Sequence, residues 1–418
     1  MKLNRRVFVV GGHITPFIGK SHPDFVWKRH PDFGKRENPT LEQHLTAAIQ
    51  GVLSSTGVDA NAIQRGAVGN FLGGLFSNQA HLGSMAVRAD EGLHGTPFVR
   101  TEAACASGGL AVTTMIDAIQ AGLDVTLAAG AEVQTTVSAR EGAGFLARAS
   151  HWETERSIDD FTFPAMFARR NKAYQEKYGV SEDDLAAIVV KAYANGNKNP
   201  LAHMKAVQVD LAHASAPNDR NPQFLRNEDL REWLKVSDCS QVSDGAAAMI
   251  LASEEGLKQL GLSPDECVEI VSYGFATSPL GAVTDFTTMT NTTKAAQEMY
   301  ADAGITPGDV QVAEVHDCFH VTEALISEAL GFADAGQGAK LAVDGATAID
   351  GSIPINTGGG LIAFGHPVGA TGVKQAIEVV RQMKGECGDY QMPTQPKVGV
   401  TANMGGDDRT SVCMAFRA

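Results

Sequence analysis

The chain has 418 residues, a formal net charge of −14 and 44% hydrophobic residues. That length exceeds one small domain and suits two or three units, while the negative charge disfavours a general nucleic-acid or membrane-surface role. Abundant glycine (44 residues) and few aromatics (6%) suggest closely packed α/β layers rather than a β-sandwich.

Val7-Phe8-Val9-Val10-Gly11-Gly12 reads as a buried strand ending in a turn. The apolar run Val7 to Val10 is too short for a signal-peptide core, and no stretch approaches the length of a membrane span. A helix over Leu41 to Ser54 follows, with Leu45, Ala48, Ile49 and Val52 at helical spacing and Gly57 as the stop. Ala67 to Phe71 is the next strand.

Glu102-Ala103-Ala104-Cys105-Ala106-Ser107-Gly108-Gly109 is a run of small residues opening a helix over Leu110 to Ala121, and Val125 to Ala129 is a strand. From Thr135 to Asp238 the chain is more polar. Helices are expected over Phe163 to Tyr178 and Ser181 to Ala194, and a loop over Asn195 to Asn221. The apolar pattern resumes at Ser243-Asp244-Gly245-Ala246-Ala247.

The early pattern then returns. A helix over Thr293 to Ala303 leads to Gly304, Val310 and Val315, which match Gly57, Ile63 and Val68 at one constant offset. Gly365-His366-Pro367-Val368-Gly369-Ala370-Thr371-Gly372 is the second small-residue turn. A helix over Val373 to Met383 and a strand over Val398 to Ala402 follow it. The chain reads as a duplicated α/β unit with a segment inserted in the first copy.

Six cysteines are scattered with no CxxC, which favours a reducing, cytoplasmic compartment. Cys105 stands where a helix N-terminus lowers a thiol pKa; a buried, inert cysteine is the alternative. His366, between Gly and Pro, is either a general base or an oxyanion donor, or a surface turn residue. His316-Asp317-Cys318-Phe319-His320 ends a strand; its spacing fits no zinc motif, and a strand end facing a cleft is the better reading. Gly358 to Ala363 fits a relaxed dinucleotide pattern only weakly. Asn403-Met404-Gly405-Gly406-Asp407-Asp408 reads as a turn whose N–H groups suit an anion, or as a plain turn.

These residues resemble the thiolase superfamily nearly end to end, through Ala104-Cys105-Ala106-Ser107-Gly108, Ser243-Asp244-Gly245-Ala246-Ala247 and Gly365-His366-Pro367 with Gly369 to Gly372. His316-Asp317-Cys318-Phe319 is similar to the sterol-carrier-protein branch. One departure stands out: the family's second cysteine, in a Cys-x-Gly turn, is replaced by Asn403-Met404-Gly405.

The resemblance implies a five-layer αβαβα fold. Residues 1–134 and 239–275 would form the N-terminal half, 135–238 the inserted CoA-binding loop domain, and 276–418 the C-terminal half. It implies an acyltransferase that cleaves a 3-oxoacyl-CoA, or runs the reverse condensation. Cys105 would be the nucleophile, activated by His366, and Cys318 the proton shuttle. His316 and His366 would hold the enolate oxygen, and the N–H groups of Cys105 and Gly405 the tetrahedral oxyanion. Ser240 aligns with a pantetheine-contacting serine. Coenzyme A is implied as substrate, with no permanently bound cofactor and no metal, in a homodimer or homotetramer working in lipid and fatty-acid metabolism. Arg169, Arg170, Lys172 and Lys191 are candidates for phosphates. An acyltransferase without carbon–carbon chemistry and a partner-dependent aldolase or structural subunit remain as alternatives.

Overall fold

A computed structural model describes residues 2–418. Nine strands carry the frame: β1 (Lys2–Ile14), β2 (Arg65–Gly69), β3 (Phe98–Thr101), β4 (Val125–Glu132), β5 (Gly245–Ser253), β6 (Val268–Thr277), β7 (Val312–Val315), β8 (Val398–Gly405) and β9 (Thr410–Arg417). They run side by side as β3-β2-β4-β5-β1-β6-β9-β8-β7. Seven of the helices matter below: α1 (Leu41–Thr56), α2 (Ser107–Gln120), α3 (Thr162–Tyr178), α4 (Glu182–Gly196), α5 (Thr290–Ala303), α6 (His320–Ala329) and α7 (Thr371–Lys384).

The strand order is a palindrome about the β1–β6 pair. β1 is antiparallel to β5 as β6 is to β9, and β2 is parallel to β4 as β7 is to β8. Even the outermost strand has a remnant: where Ala67 pairs with Val99 of β3, Ala313 makes a single parallel bridge to Ile355. β6 thus takes in the second half the place of β1 in the first.

Helix chemistry follows position in the layers. α1 starts at the Thr40 capping box and stops at Gly57 in the left-handed region, with φ +68. It buries one face, Leu45, Ala48, Ile49 and Val52, against the first-half strands. α2 and α7 lie between the two halves of the sheet and are buried on nearly every side. Glycine makes this possible: a Cβ on Gly108 would stand 2.8 Å from Gly369 O, and one on Gly372 would collide with Gly109 N. The layers are therefore helix, sheet, helix pair, sheet, helix. The inserted segment packs α3 and α4 onto α6 and the second-half strands, sharing one apolar cluster with Val315, Leu325 and Leu361.

Candidate active site

Cys105 stands on an elbow between β3 and α2. Ala104 before it is held at φ +50, a left-handed conformation that strains a non-glycine residue unless its surroundings enforce it. Here they do. The Ala104 N–H donates to Glu102 Oε1 at 2.6 Å, and Ser107 Oγ accepts from the Ala103 N–H at 3.0 Å and donates to Ala104 O at 2.5 Å.

The expected helix effect on this thiol is overturned. α2 begins only at Ser107, and burial pushes the Cys105 thiol up to about 12, against a weaker opposing pull from the N–H groups of Gly406 and of Cys105 itself. Apolar walls strip away the water that would solvate a thiolate. The resting group is a thiol and needs a base.

His366 sits in the turn before α7, tied down by Gln134 Nε2 donating to its carbonyl at 2.8 Å and by its own N–H donating to Ser243 Oγ at 3.3 Å. Its Nδ1 lies 2.7 Å from Thr371 Oγ1, and that hydroxyl donates to Pro367 O at 3.2 Å. The hydroxyl therefore accepts from Nδ1–H, which leaves Nε2 a lone pair. Burial lowers His366 to about 3, so the ring is neutral.

His316 follows β7 and is wholly buried. Its ring meets that of His366 edge to face, with centroids 5.0 Å apart. One ligand-type atom each from Cys105, His316 and His366 lie within 4.8 Å of one another. Asn403 Nδ2 is 3.1 Å from His316 Nδ1, while His316 Nε2 has no protein partner among the described residues. The next residue, Asp317, is drawn inward. It accepts from the N–H groups of Leu361 at 2.6 Å and Ile362 at 3.4 Å, and burial pushes it up to about 7.

Cys318 lines the same pocket as Cys105. Burial raises its thiol well above the ordinary range, with Cys105 and Asp317 adding to the effect. Ser240 lines that pocket too, and its N–H donates to Cys318 O at 2.9 Å. The cavity is about 360 Å³ and opens over Cys105, Cys318 and His366. Its wall is apolar, with Phe71, Phe76, Phe161, Phe163, Phe167 and Phe224 and no Lys, Arg, Asp or Glu.

Several expectations change. Asn403 lies inside β8, opposite Val412, rather than in a turn. Gly405 closes the same strand opposite Thr410, and a Cβ there would collide with Ala103 O. The turn N–H that reaches the Cys105 sulfur is that of Gly406, at φ +68. It stands next to the expected donor, Gly405, one residue further along the hairpin. Arg170 and Lys191 are not free for phosphates: Arg170 is buried on Asp407 and on the carbonyls of Phe286 and Thr288, and Lys191 pairs with Glu323. The Gly358 to Ala363 segment is no dinucleotide loop, because a Cβ at Gly360 would collide with the carboxylate of Asp317 that the segment wraps.

Four contributors escaped the sequence reading: Gly406, Thr371 as the partner of His366, Asn403 as the partner of His316, and Glu132. Glu132, fully buried, accepts from the N–H groups of Phe71 at 2.8 Å and Leu72 at 3.0 Å and so fixes one pocket wall. Glu132 closes a strand that is otherwise apolar but for Thr126, and that lone carboxylate was the one signal that could have marked it.

A neutral Cys–His pair thus sits on a duplicated α/β frame over an apolar pocket, an arrangement suited to cysteine nucleophile chemistry. The sequence matches the model of the thiolase N-terminal domain over residues 31–255 and of the thiolase C-terminal domain-like unit over 273–417. It is 36% identical over 373 residues to an acetyl-CoA acetyltransferase of Methanothermobacter thermautotrophicus, covering 89% of this chain and 93% of that one. It is 31% identical over 399 residues to sterol carrier protein 2 of Gallus gallus, covering 92% of this chain and 67% of that one. An Ltp2–ChsH2(DUF35) aldolase superposes with a TM-score of 0.77 at 19% identity, covering 99% of this chain and 98% of that one. The human mitochondrial 3-ketoacyl-CoA thiolase in complex with CoA gives 0.71 at 18%, covering 100% and 99%. The chain belongs to the thiolase family and is an acyltransferase. Among the described residues no helix is long and apolar enough to cross a membrane.

Proposed function

We propose that the protein is a thiolase: it cleaves a 3-oxoacyl-CoA with CoA into an acyl-CoA and acetyl-CoA or propionyl-CoA, or runs the reverse condensation. The observation that carries this reading is the convergence of Cys105, His366 and Cys318 on one apolar pocket, with His316 clustered against Cys105 and His366. His366 Nε2 takes the Cys105 proton as sulfur attacks the 3-oxo carbon. The N–H groups of Cys105 and Gly405 receive the oxyanion, with that of Gly406 beside them. The bond to the α-carbon breaks, leaving acyl-Cys105 and an enolate whose oxygen is held by His316 Nε2–H and by the now protonated His366. Cys318 gives the α-carbon its proton, the incoming CoA thiol returns one to Cys318, and as the CoA sulfur takes the acyl group the leaving Cys105 thiolate recovers its proton from His366. Each oxyanion donor supplies roughly 3–4 kcal/mol of barrier lowering. Ser240 faces the pantetheine arm.

The test is incubation of the purified chain with acetoacetyl-CoA and CoA, with intact-mass detection of acyl-Cys105. Acetyl-CoA release that disappears in Cys105→Ala supports the reading; release that survives that change sinks it. Replacement of the family's second cysteine by Asn403 favours one rival, acyl transfer without Claisen chemistry; a partner-dependent aldolase-like or structural subunit is a separate alternative. Acyl-Cys105 accumulating with no acetyl-CoA formed would favour that rival. The proposal also places the enzyme in the cytoplasm as a homodimer or homotetramer, which sedimentation of the purified chain addresses.

A further inference from the structure

We propose that Asn403 fixes the tautomer of His316, holding a proton on Nε2, and thereby keeps the Cys105–His316–His366 cluster from capturing a thiophilic divalent metal. The donor role of that proton rests on the thiolase reading; the tautomer and the metal discrimination do not.

The orientation of the Asn403 amide is dictated by its neighbours. Its Oδ1 lies 3.1 Å from the N–H of Gly109, which can only donate. Its Nδ2 lies 3.3 Å from the carbonyl oxygen of Cys105, which can only accept. Flipping the amide would break both contacts. The second Nδ2 hydrogen then points at His316 Nδ1, 3.1 Å away. A donor at that place needs a lone pair on Nδ1, so the neutral ring carries its hydrogen on Nε2. Burial, with His366 alongside, holds the ring neutral. Nε2 is the buried nitrogen with no protein partner, in a side chain with no exposure.

The same polarity governs metals. Cys105, His316 and His366 bring a sulfur and two ring nitrogens within 4.8 Å of one another, close to what a tetrahedral zinc ion requires, with the pocket open for a fourth ligand. A metal on His316 Nε2 would have to push that hydrogen to Nδ1, where it would face the Asn403 N–H with no acceptor. Metal-binding histidines have the opposite arrangement, an N–H donating to a carboxylate or carbonyl, and that partner is worth about 10–100-fold in affinity. His366 lacks this protection, because Thr371 leaves its Nε2 bare for proton transfer. Asn403 thus acts as a positioning residue at the place where an ordinary thiolase would carry a second thiol, which would offer such an ion a further ligand.

Two measurements test this. Nitrogen-15 NMR of histidine-labelled wild-type protein, with His316→Gln for assignment, is expected to show a directly bonded proton on His316 Nε2. A proton on Nδ1 overturns the assignment. Asn403→Asp places an acceptor against Nδ1. Protection of Cys105 from iodoacetamide by Zn²⁺ should then occur at zinc concentrations at least about tenfold below wild type. Equal zinc sensitivity overturns the metal half of the proposal. Should the aspartate disturb folding, the wild-type spectrum still decides the tautomer. A wild-type protein with the proton on Nε2 but no thiolase turnover sinks the functional reading and leaves the tautomer standing.

Discussion

Arg170 of α3 and Asp407 of the β8–β9 turn form a buried ion pair, both almost without exposure, one residue from the Gly406 N–H that reaches Cys105. The inserted segment therefore does more than cover the site: it pins the turn that carries this N–H. Removing one partner leaves a buried charge uncompensated. Arg170→Met should cost about 3–5 kcal/mol in denaturant unfolding and lower kcat more than it raises KM. An unfolding free energy within about 1 kcal/mol of wild type would contradict the coupling.

The thiol of Cys105 stands at about 12 and His366 at about 3, so the two are uncharged together at rest. Thiolate forms only as pH rises. Iodoacetamide alkylation of the resting enzyme should climb continuously from pH 6 to about pH 10, with no plateau near neutrality of the kind a thiolate–imidazolium pair gives. His366→Ala should leave that profile nearly unchanged while turnover falls about 10²–10⁴-fold. A neutral-pH plateau that His366→Ala abolishes would show a resting ion pair instead.

The pocket wall has no charged residue but many aromatic rings. Ala143, one of its lining residues, sits on the short helix Ala139–Leu146. Ala143→Phe should leave kcat/KM for acetoacetyl-CoA within about threefold and depress it for bulky 3-oxoacyl-CoA substrates by about 10–200-fold. A uniform loss across chain lengths would mean that the acyl group lies elsewhere.

Burial raises Glu132 to about 7 from an ordinary 4.5. Folding therefore favours its protonated form. Its stability contribution is complete below about pH 4.5 and is lost as pH rises through about 7, a change on the order of 3 kcal/mol. Glu132→Gln should flatten that part of the stability-versus-pH curve in chemical denaturation at pH 5 and 8. An unchanged slope would mean that the carboxylate keeps its charge in the fold.

Cys318→Ala should leave acylation of Cys105 by an acyl-CoA measurable and lower the condensation rate about 10²–10⁴-fold, as loss of a proton-transfer group does. Wild-type condensation rates in this variant would remove Cys318 from proton transfer.

Much of the frame was legible because duplication leaves arithmetic in the sequence. Gly57, Ile63 and Val68 recur as Gly304, Val310 and Val315, and these residues occupy corresponding places around β2 and β7. The pairing of Cys105 with His366 was legible for the same reason, since each lies in the small-residue turn before a central helix. What escaped depends on distant partners. The thiol pKa is set by burial, in a pocket whose apolar lining includes Phe163 and Phe167, far from Cys105 in sequence. That the Gly406 N–H also turns toward Cys105 follows from the geometry of one hairpin, which local composition does not specify. Arg170 and Lys191 look like solvated helix charges until Asp407 and Glu323 are brought to them.

The glycine contact between α2 and α7 separates what can drift from what cannot. Gly108 and Gly372 bring main chain against main chain, so the spacing of the turns that carry Cys105 and His366 depends on backbone atoms rather than on side-chain fit. The pocket, by contrast, is shaped almost wholly by replaceable side chains, about half of them contributed by the inserted segment. Selection can recut that lining for a new acyl group through single substitutions without moving the nucleophile from its base. Innovation in such a scaffold should concentrate in the insertion, while the paired glycines stay closed to change.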